Sequence, residues 1–374
     1  MKKIIIIGVS PLVRRRADVF YIDEFINKGY KVEHCDLSPC FYINDLYNNI
    51  ITSLYTYTFS TIDDFKAYLN LQVIKDTVFI VELLPIKRLE PIFKILKDYR
   101  CYCIRINVNA SDMSEKSPTF MMRIKYGLWG LSTIKSLLKF TYKKCTKSCV
   151  INSVFDIYSL YISSGNNKKI DIHINQYDWD KTNRKVDRVI SVDYKYAIFC
   201  DEYFPYHPDF KEYNLDKVNA IASMYHNQMN SYFDYIENKY HIKIVIAAHP
   251  KSNYEGNEFG DRPILKFKTM ELVKYSEFVI LHGSMSISYA ILFDKPIVLT
   301  ITPLLKKTRS YFGHFIIYAD YFGQSLNDIT KNMDCPPTKV SDTVKNKYIY
   351  EYMTSKGIEE KSNVDILDEL FRSL

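Results

Sequence analysis

Two short segments gather side chains able to hold an anion. His249-Pro250-Lys251 puts an imidazole and an ammonium two residues apart, and His282-Gly283-Ser284-Met285-Ser286 supplies a second imidazole, a glycine and two hydroxyls. Arg262 adds a second cation between them. A Gly-Ser turn opening a helix presents unpaired backbone N–H groups at the positive end of the helix dipole, which is where phosphates bind. Serines at a helix start also serve as plain caps, and that alternative stands beside the first. Asp201-Glu202 and Glu82 are the carboxylates placed to take a proton from an attacking hydroxyl. For Glu82 the plainer role is a solvated or capping carboxylate.

Each of these groups directly follows an apolar run. Tyr196–Cys200 precedes Asp201, Ile242–Ala247 leads to His249, Phe278–Leu281 precedes His282, and Thr77–Val81 precedes Glu82. Strand, polar turn, then helix is how an open α/β sheet builds a site at the carboxyl ends of its strands. The chain opens with a strand over Lys3–Val9, a helix over Ala17–Lys28 and a strand over Tyr30–His34, a βαβ start without the G-x-G-x-x-G phosphate fingerprint. Periodicity predicts helices over Ile43–Ser53, Ile62–Leu71 and Leu89–Asp98, then a strand over Cys101–Val108. A second alternation follows. It has a helix over Leu215–Tyr240, a strand over Ile264–Phe267, helices over Thr269–Tyr275 and Ser286–Phe293, and a strand over Ile297–Ile301. Helices over Asp342–Thr354 and Val364–Phe371 close the pattern. The expected fold is α/β, with two Rossmann-like domains facing across a cleft. Residues 1–192 form the acceptor domain, 193–350 the donor domain and 351–374 a helical tail.

Composition narrows the function classes. The 374 residues are 47% hydrophobic and carry a net charge of +7, which favours anionic partners but lacks the dense Lys/Arg coverage of a dedicated nucleic-acid binder. No apolar run is long enough to cross a membrane, and the N-terminal run is too short for a signal peptide, so a cytoplasmic protein is expected. The eight cysteines lack zinc-ligand spacing, and Asp178-Trp179-Asp180 does not end a predicted strand, so no metal and no resident cofactor are expected. Met121–Lys147 has helical apolar spacing and many cations without a single acid. With Arg123, Lys125, Lys135, Lys139, Lys143 and a central Trp129, it reads as an amphipathic helix for an anionic membrane surface, peripheral at the inner face of the cell membrane. A core helix with a solvated lysine face is the other reading of the same pattern.

His249-Pro250, the Ser284-Met285-Ser286 turn and Asp294-Lys295-Pro296-Ile297 resemble the donor half of GT-B-fold bacterial glycosyltransferases of surface-polysaccharide biosynthesis, in particular the sialyltransferase-like ones. That resemblance implies a transferase using a nucleotide-sugar donor, such as a CMP-activated sialic-acid-like or Kdo-like sugar, and a glycan or glycolipid acceptor. It further implies that His249, Ser284 and Ser286 hold the donor phosphate and that the reaction is inverting and metal-independent. The Asp/Glu-Asp-Gly motif that carries the catalytic acid in those enzymes has no counterpart, which leaves Asp201, Glu202 or Glu82 as the base. A CDP-polyol phosphotransferase would use the same anion pocket. A non-catalytic membrane-surface protein with a degenerate nucleotide cleft is the rival from another class.

Overall fold

The structure is a computed structural model and describes residues 3–41, 50–108, 118–126, 154–165, 170–183, 193–207 and 215–374. The chain divides into two compact units. The first gathers Met1–Ala110, Lys135–Arg184 and Tyr350–Leu374; the second gathers Ser111–Ile134 and Lys185–Ile349.

The strands of the first unit are β1 (Lys3–Gly8), β2 (Lys31–Asp36), β3 (Thr56–Thr58), β4 (Thr77–Val81), β5 (Tyr102–Asn107), β6 (Tyr158–Ser163) and β7 (Ile172–His173). They form one sheet in the order β3-β2-β1-β4-β5-β6-β7, and every pairing is parallel. Parallel strands need crossover connections and are covered on both faces, so their sequences run apolar rather than alternating. KIIIIG and TVFIV show this. Ile4, Ile6, Val78 and Ile80 pack on Ala17, Val19, Ile22 and Phe25 on one face. On the other, Ile5, Ile7, Phe79 and Val81 pack on Phe65, Leu69, Ile92 and Phe93.

The second unit contains β8 (Tyr196–Cys200), β9 (Lys243–Ala248), β10 (Ile264–Lys266), β11 (Val279–Leu281), β12 (Ile297–Ile301) and β13 (Leu326–Asp328). Their order is β10-β9-β8-β11-β12-β13, again all parallel. Numbered within the unit, this is 3-2-1-4-5-6, the order of dinucleotide-binding sheets. The 26-residue helix Leu215–Tyr240 sets Tyr225, Met229, Tyr232, Phe233 and Ile236 against Phe199, Ile244 and Ile246. Both sheets are therefore Rossmann-like, as the sequence pattern predicts.

Three expected helices differ. Ala17–Lys28 is two helices, Arg14–Val19 and Ile22–Asn27, because Tyr21 takes a left-handed conformation (φ 55°). The Tyr21 hydroxyl accepts a 2.8 Å hydrogen bond from the amide of buried Asn363. Within Ile43–Ser53, residues 43–49 lie outside the described residues. Ile50 forms an antiparallel bridge with Val13 rather than a helical turn. Asp342–Thr354 is helical only over Asp342–Tyr348 and then widens into a π-helical turn, Ile349–Met353.

The helix Asn363–Ser373 is part of the first unit's core, where Val364, Leu367 and Phe371 lie against Phe25 and Tyr30. Asn363 anchors it. Its backbone N–H donates to Asp180 at 2.7 Å, and its side chain exchanges hydrogen bonds with the backbone of Asn175. Asp180 is thus consumed by a structural bond, and neighbouring Trp179 donates its indole N–H to the Glu359 carbonyl at 2.9 Å.

Candidate functional site

The order of the second sheet reverses at β8, which lies between β9 and β11. Ligands of open α/β sheets bind just beyond the strand ends at such a point. Register pairs Ile198 with Val279 and Phe199 with Ile280, so Asp201-Glu202 and His282-Gly283 leave the sheet side by side. The Gly283 N–H closes that junction by donating a 2.8 Å hydrogen bond to Glu202 Oε1. Burial pushes the half-buried Glu202 carboxyl up to about 7, with the Gly283 N–H opposing the shift and the Asp201 charge adding to it. A group of that acidity exchanges a proton near neutral pH, the range in which a general base is most effective.

Asp201 has a different task. It is buried, and Oδ1 accepts the Tyr203 N–H at 2.9 Å while Oδ2 accepts the His249 N–H at 3.2 Å and the Tyr254 hydroxyl at 2.8 Å. Burial raises its pKa to about 6 against those three donors. Its bonds tie the exit of β9 to the exit of β8, which makes it a positioning residue.

His249 is held from both sides. Its own N–H goes to Asp201, and its Nδ1 accepts the Lys251 N–H at 3.1 Å. Its ring stands edge-on to His207 with centroids 4.8 Å apart. Pro250, without an N–H, ends the ladder here, and Lys251 is exposed beyond it. In the neighbouring turn Ser284 Oγ accepts the Ser286 N–H at 3.2 Å, and the Ser284 carbonyl accepts the Ile287 N–H at 3.1 Å. Neither the Ser284 nor the Met285 N–H has an acceptor among the described residues.

Two residues expected among the phosphate handles are committed elsewhere. His282 is fully buried. Its Nδ1 lies 2.8 Å from the Thr300 carbonyl, an obligate acceptor, so the proton sits on Nδ1 and Nε2 accepts the Tyr225 hydroxyl at 2.8 Å. Burial lowers its pKa to about 4, opposed by the Thr300 carbonyl. This neutral imidazole underpins the turn from within the core. Arg262 bonds Asp234 at 2.5 Å and Glu237 at 2.7 Å, contacts Asn230 at 3.3 Å, and lies over the Phe233 ring. Asn230, Asp234 and Glu237 share one face of the helix Leu215–Tyr240, and that helical spacing was the available signal. Arg262→Ala is expected to cost about 1–2 kcal/mol in urea unfolding, chiefly by removing the cation from half-buried Glu237 and the packing on Phe233, since Asp234 is exposed, while leaving any nucleotide response unchanged. A lost nucleotide response in folded protein would return Arg262 to the site.

Glu82 belongs to the first unit, just past β4, with Arg16 Nη1 3.4 Å from its Oε2. Burial raises its pKa and Arg16 opposes the rise. Two residues beside it, His34 and Ser10, carry no sequence motif. His34 lies inside β2, two residues before its end, so it lacked the strand-end position that marked His282.

Of the basic segment, the structure describes the helix Phe120–Lys125, with Lys125 Nζ 5.4 Å from the Tyr126 ring centroid. The Arg123 side chain and all of Trp129, Lys135, Lys139 and Lys143 lie outside the described residues. Met122 and Tyr126 pack on the second unit's core. Among the described residues no helix is long and apolar enough to cross a membrane, and no group of three or more His, Cys, Asp or Glu could hold a metal.

No protein-family model matches the chain, and no curated protein matches it in sequence. Solved structures match over nearly the whole length. The wall teichoic acid polymerase TagF shows 12% identity and a TM-score of 0.49, over 100% of this chain and 90% of that one. S. aureus MnaA in a co-structure with UDP shows 11% identity and a TM-score of 0.45, over 100% and 98%. The Methanocaldococcus jannaschii UDP-GlcNAc 2-epimerase in complex with UDP-GlcNAc and UDP shows 11% and 0.44, over 93% and 98%. At this distance the fold assignment rests on the two sheets themselves.

Proposed function

We propose that the chain is a nucleotide-sugar-dependent glycosyltransferase whose second unit binds the donor. The observation that carries this reading is the Gly283–Glu202 hydrogen bond at the reversal point of a 3-2-1-4-5-6 sheet, with the serine turn directly after it. In this reading the Ser284 and Met285 N–H groups and the Ser284 and Ser286 hydroxyls bind the donor phosphate, with His249 and Lys251 at the next strand end. The donor is a CMP-activated acidic sugar and the acceptor a glycan or glycolipid hydroxyl. The acceptor oxygen bonds to the anomeric carbon as the bond from that carbon to the phosphate oxygen breaks. The hydroxyl proton passes to the Glu202 carboxylate, and the phosphate leaves carrying the bonding electrons. Hydrogen-bond donors aimed at the departing phosphate lower the barrier because they are already oriented when its charge grows.

The test is thermal unfolding with CMP, CDP and UDP at millimolar concentration. One of the three should raise Tm, since a ligand at about 100 times its Kd adds about 2.7 kcal/mol of stability. Ser284→Ala combined with His249→Ala should abolish the shift. Failure of all three nucleotides to move Tm would sink the donor assignment.

A further inference from the structure

The residues after Glu202, Tyr203 to His207, form a loop that is fastened along its length. The Tyr203 N–H donates to Asp201 Oδ1 at 2.9 Å, and the Tyr203 ring stands edge-on to Tyr254 with centroids 5.2 Å apart. Phe204 is buried and packs edge-on to Tyr225, with centroids 5.0 Å apart. Tyr225 is the residue whose hydroxyl bonds His282, directly before the Gly283 turn. The His207 N–H donates to the Tyr203 carbonyl at 2.8 Å and closes the loop. One loop is thereby tied to the exits of β8 and β9 through Asp201 and to the start of the serine turn through Tyr225.

A loop held in this way delivers its last ring to one place. His207 is half-buried and meets His249 with centroids 4.8 Å apart and ring planes 84° apart. That is the geometry of a favourable edge-to-face pair. His249 Nδ1 accepts the Lys251 N–H at 3.1 Å, so the neutral ring carries its proton on Nε2 and donates from there. A hydrogen bond to one ring nitrogen fixes that atom but not the tilt of the plane. A perpendicular ring packed beside it fixes the tilt. A donor already aimed loses less side-chain freedom when its ligand arrives.

We infer that His207 is a positioning residue for the donor site, whose ring holds the His249 plane so that its Nε2–H faces the donor phosphate. The inference rests on the donor reading for the identity of that ligand, whereas the packing of His207 on His249 belongs to the ligand-free chain. His207 acts through its ring and not through a hydrogen bond of its own.

Three variants separate the ring from its N–H groups. His207→Phe keeps a ring without a donor, His207→Gln keeps a donor without a ring, and His207→Ala keeps neither. Whichever of CMP, CDP and UDP raises Tm is titrated by calorimetry into the full chain and into each variant. The expected Kd stays within about twofold of the parent in His207→Phe and weakens about fivefold in His207→Gln and His207→Ala, the scale of ordering one side chain on binding. In a His249→Ala background the same changes should alter Kd by less than about twofold, since the residue they act through is gone. Ligand-free Tm checks folding, and His207→Gln stands in for His207→Ala if the latter is unfolded.

The ligand-free chain labelled with 13C,15N-histidine gives a second measurement, with the His249 ring signals identified by their loss in His249→Ala. The order parameter of that ring should be kept in His207→Phe and fall in His207→Gln and His207→Ala. The inference is overturned if His207→Gln binds like the parent while His207→Phe is weakened, which would make His207 a direct ligand. It is equally overturned if His207→Ala binds like the parent, if the losses persist in His249→Ala, or if the His249 ring is as ordered in His207→Ala as in the parent. No response to any nucleotide, with His249 order still dependent on the His207 ring, counts against the donor reading alone. Nucleotide binding indifferent to His207 counts against this inference alone.

Discussion

Gly283→Ala is expected to lose about 3 kcal/mol of stability in urea unfolding and, in whatever fraction folds, the nucleotide response. A Cβ at this position would lie 2.8 Å from Phe315 Cε1 and closer still to Cδ1, and Phe315 is 1% exposed within the core. Overpacking of this kind typically costs about 1–3 kcal/mol, because the ring must leave its rotamer or the backbone must move. The backbone is the part that matters for binding, since the Gly283 N–H is the link to Glu202. Phe315→Leu in the Gly283→Ala background should recover stability that Phe315→Leu alone does not provide, a positive coupling measurable in a double-mutant cycle. A cost below roughly 0.5 kcal/mol, the range of neutral surface changes, would mean the turn has room that the geometry denies.

His282→Phe should cost about 2–4 kcal/mol near neutral pH. Phenylalanine fills most of the space but leaves the Tyr225 hydroxyl and the Thr300 carbonyl without a partner in the core. The variant should also change how stability responds to acid. Folded His282 takes its proton only near pH 4, whereas the unfolded side chain takes it near its ordinary 6.5. Its contribution is therefore complete above 6.5 and lost as pH falls from 6.5 through 4. His34 and His226, held down to about 3 and about 4 by burial, act in the same direction. Removing His282 should reduce the acid-side slope by roughly one proton of these three, so that the gap between variant and parent narrows on acidification. Urea midpoints from pH 7 to pH 4 measure this. An unchanged slope would show that His282 is not the buried neutral imidazole described.

Much of the fold was legible because parallel strands covered on both faces announce themselves as β-branched apolar runs. β4, β8 and β12 begin and end where the sequence places them. What escaped depends on distant contacts. The break at Tyr21 has no local breaker residue, and the side chain there is held by Asn363, more than three hundred positions away. β3 and β13 are TYT and LND, short and without the apolar run that marks the other strands. At the site, chemistry was legible at the level of strand ends but side-chain direction was not. His249 and His282 occupy the same kind of position, yet one stands at a half-buried turn and the other lies within the core. Arg262 looked free only because its partners sit on a helix made some thirty residues earlier. His34 was passed over because nothing in its immediate neighbours distinguishes an unpaired imidazole from a satisfied one.

The helix Asn363–Ser373 fixes an order of assembly. Its Val364, Leu367 and Phe371 belong to the same core as Ile4 and Ile6. During synthesis, therefore, the helix Ile22–Asn27 leaves the ribosome before the second sheet, but the side chains that cover its Phe25 emerge only after the whole of that sheet, β8 to β13. The second sheet has all its strands in hand while the first core still lacks its cover. Phe25 and Tyr30 must therefore wait through the synthesis of the second sheet for Phe371, and that interval is when this uncovered aromatic pair is most open to a chaperone or to a neighbouring nascent chain.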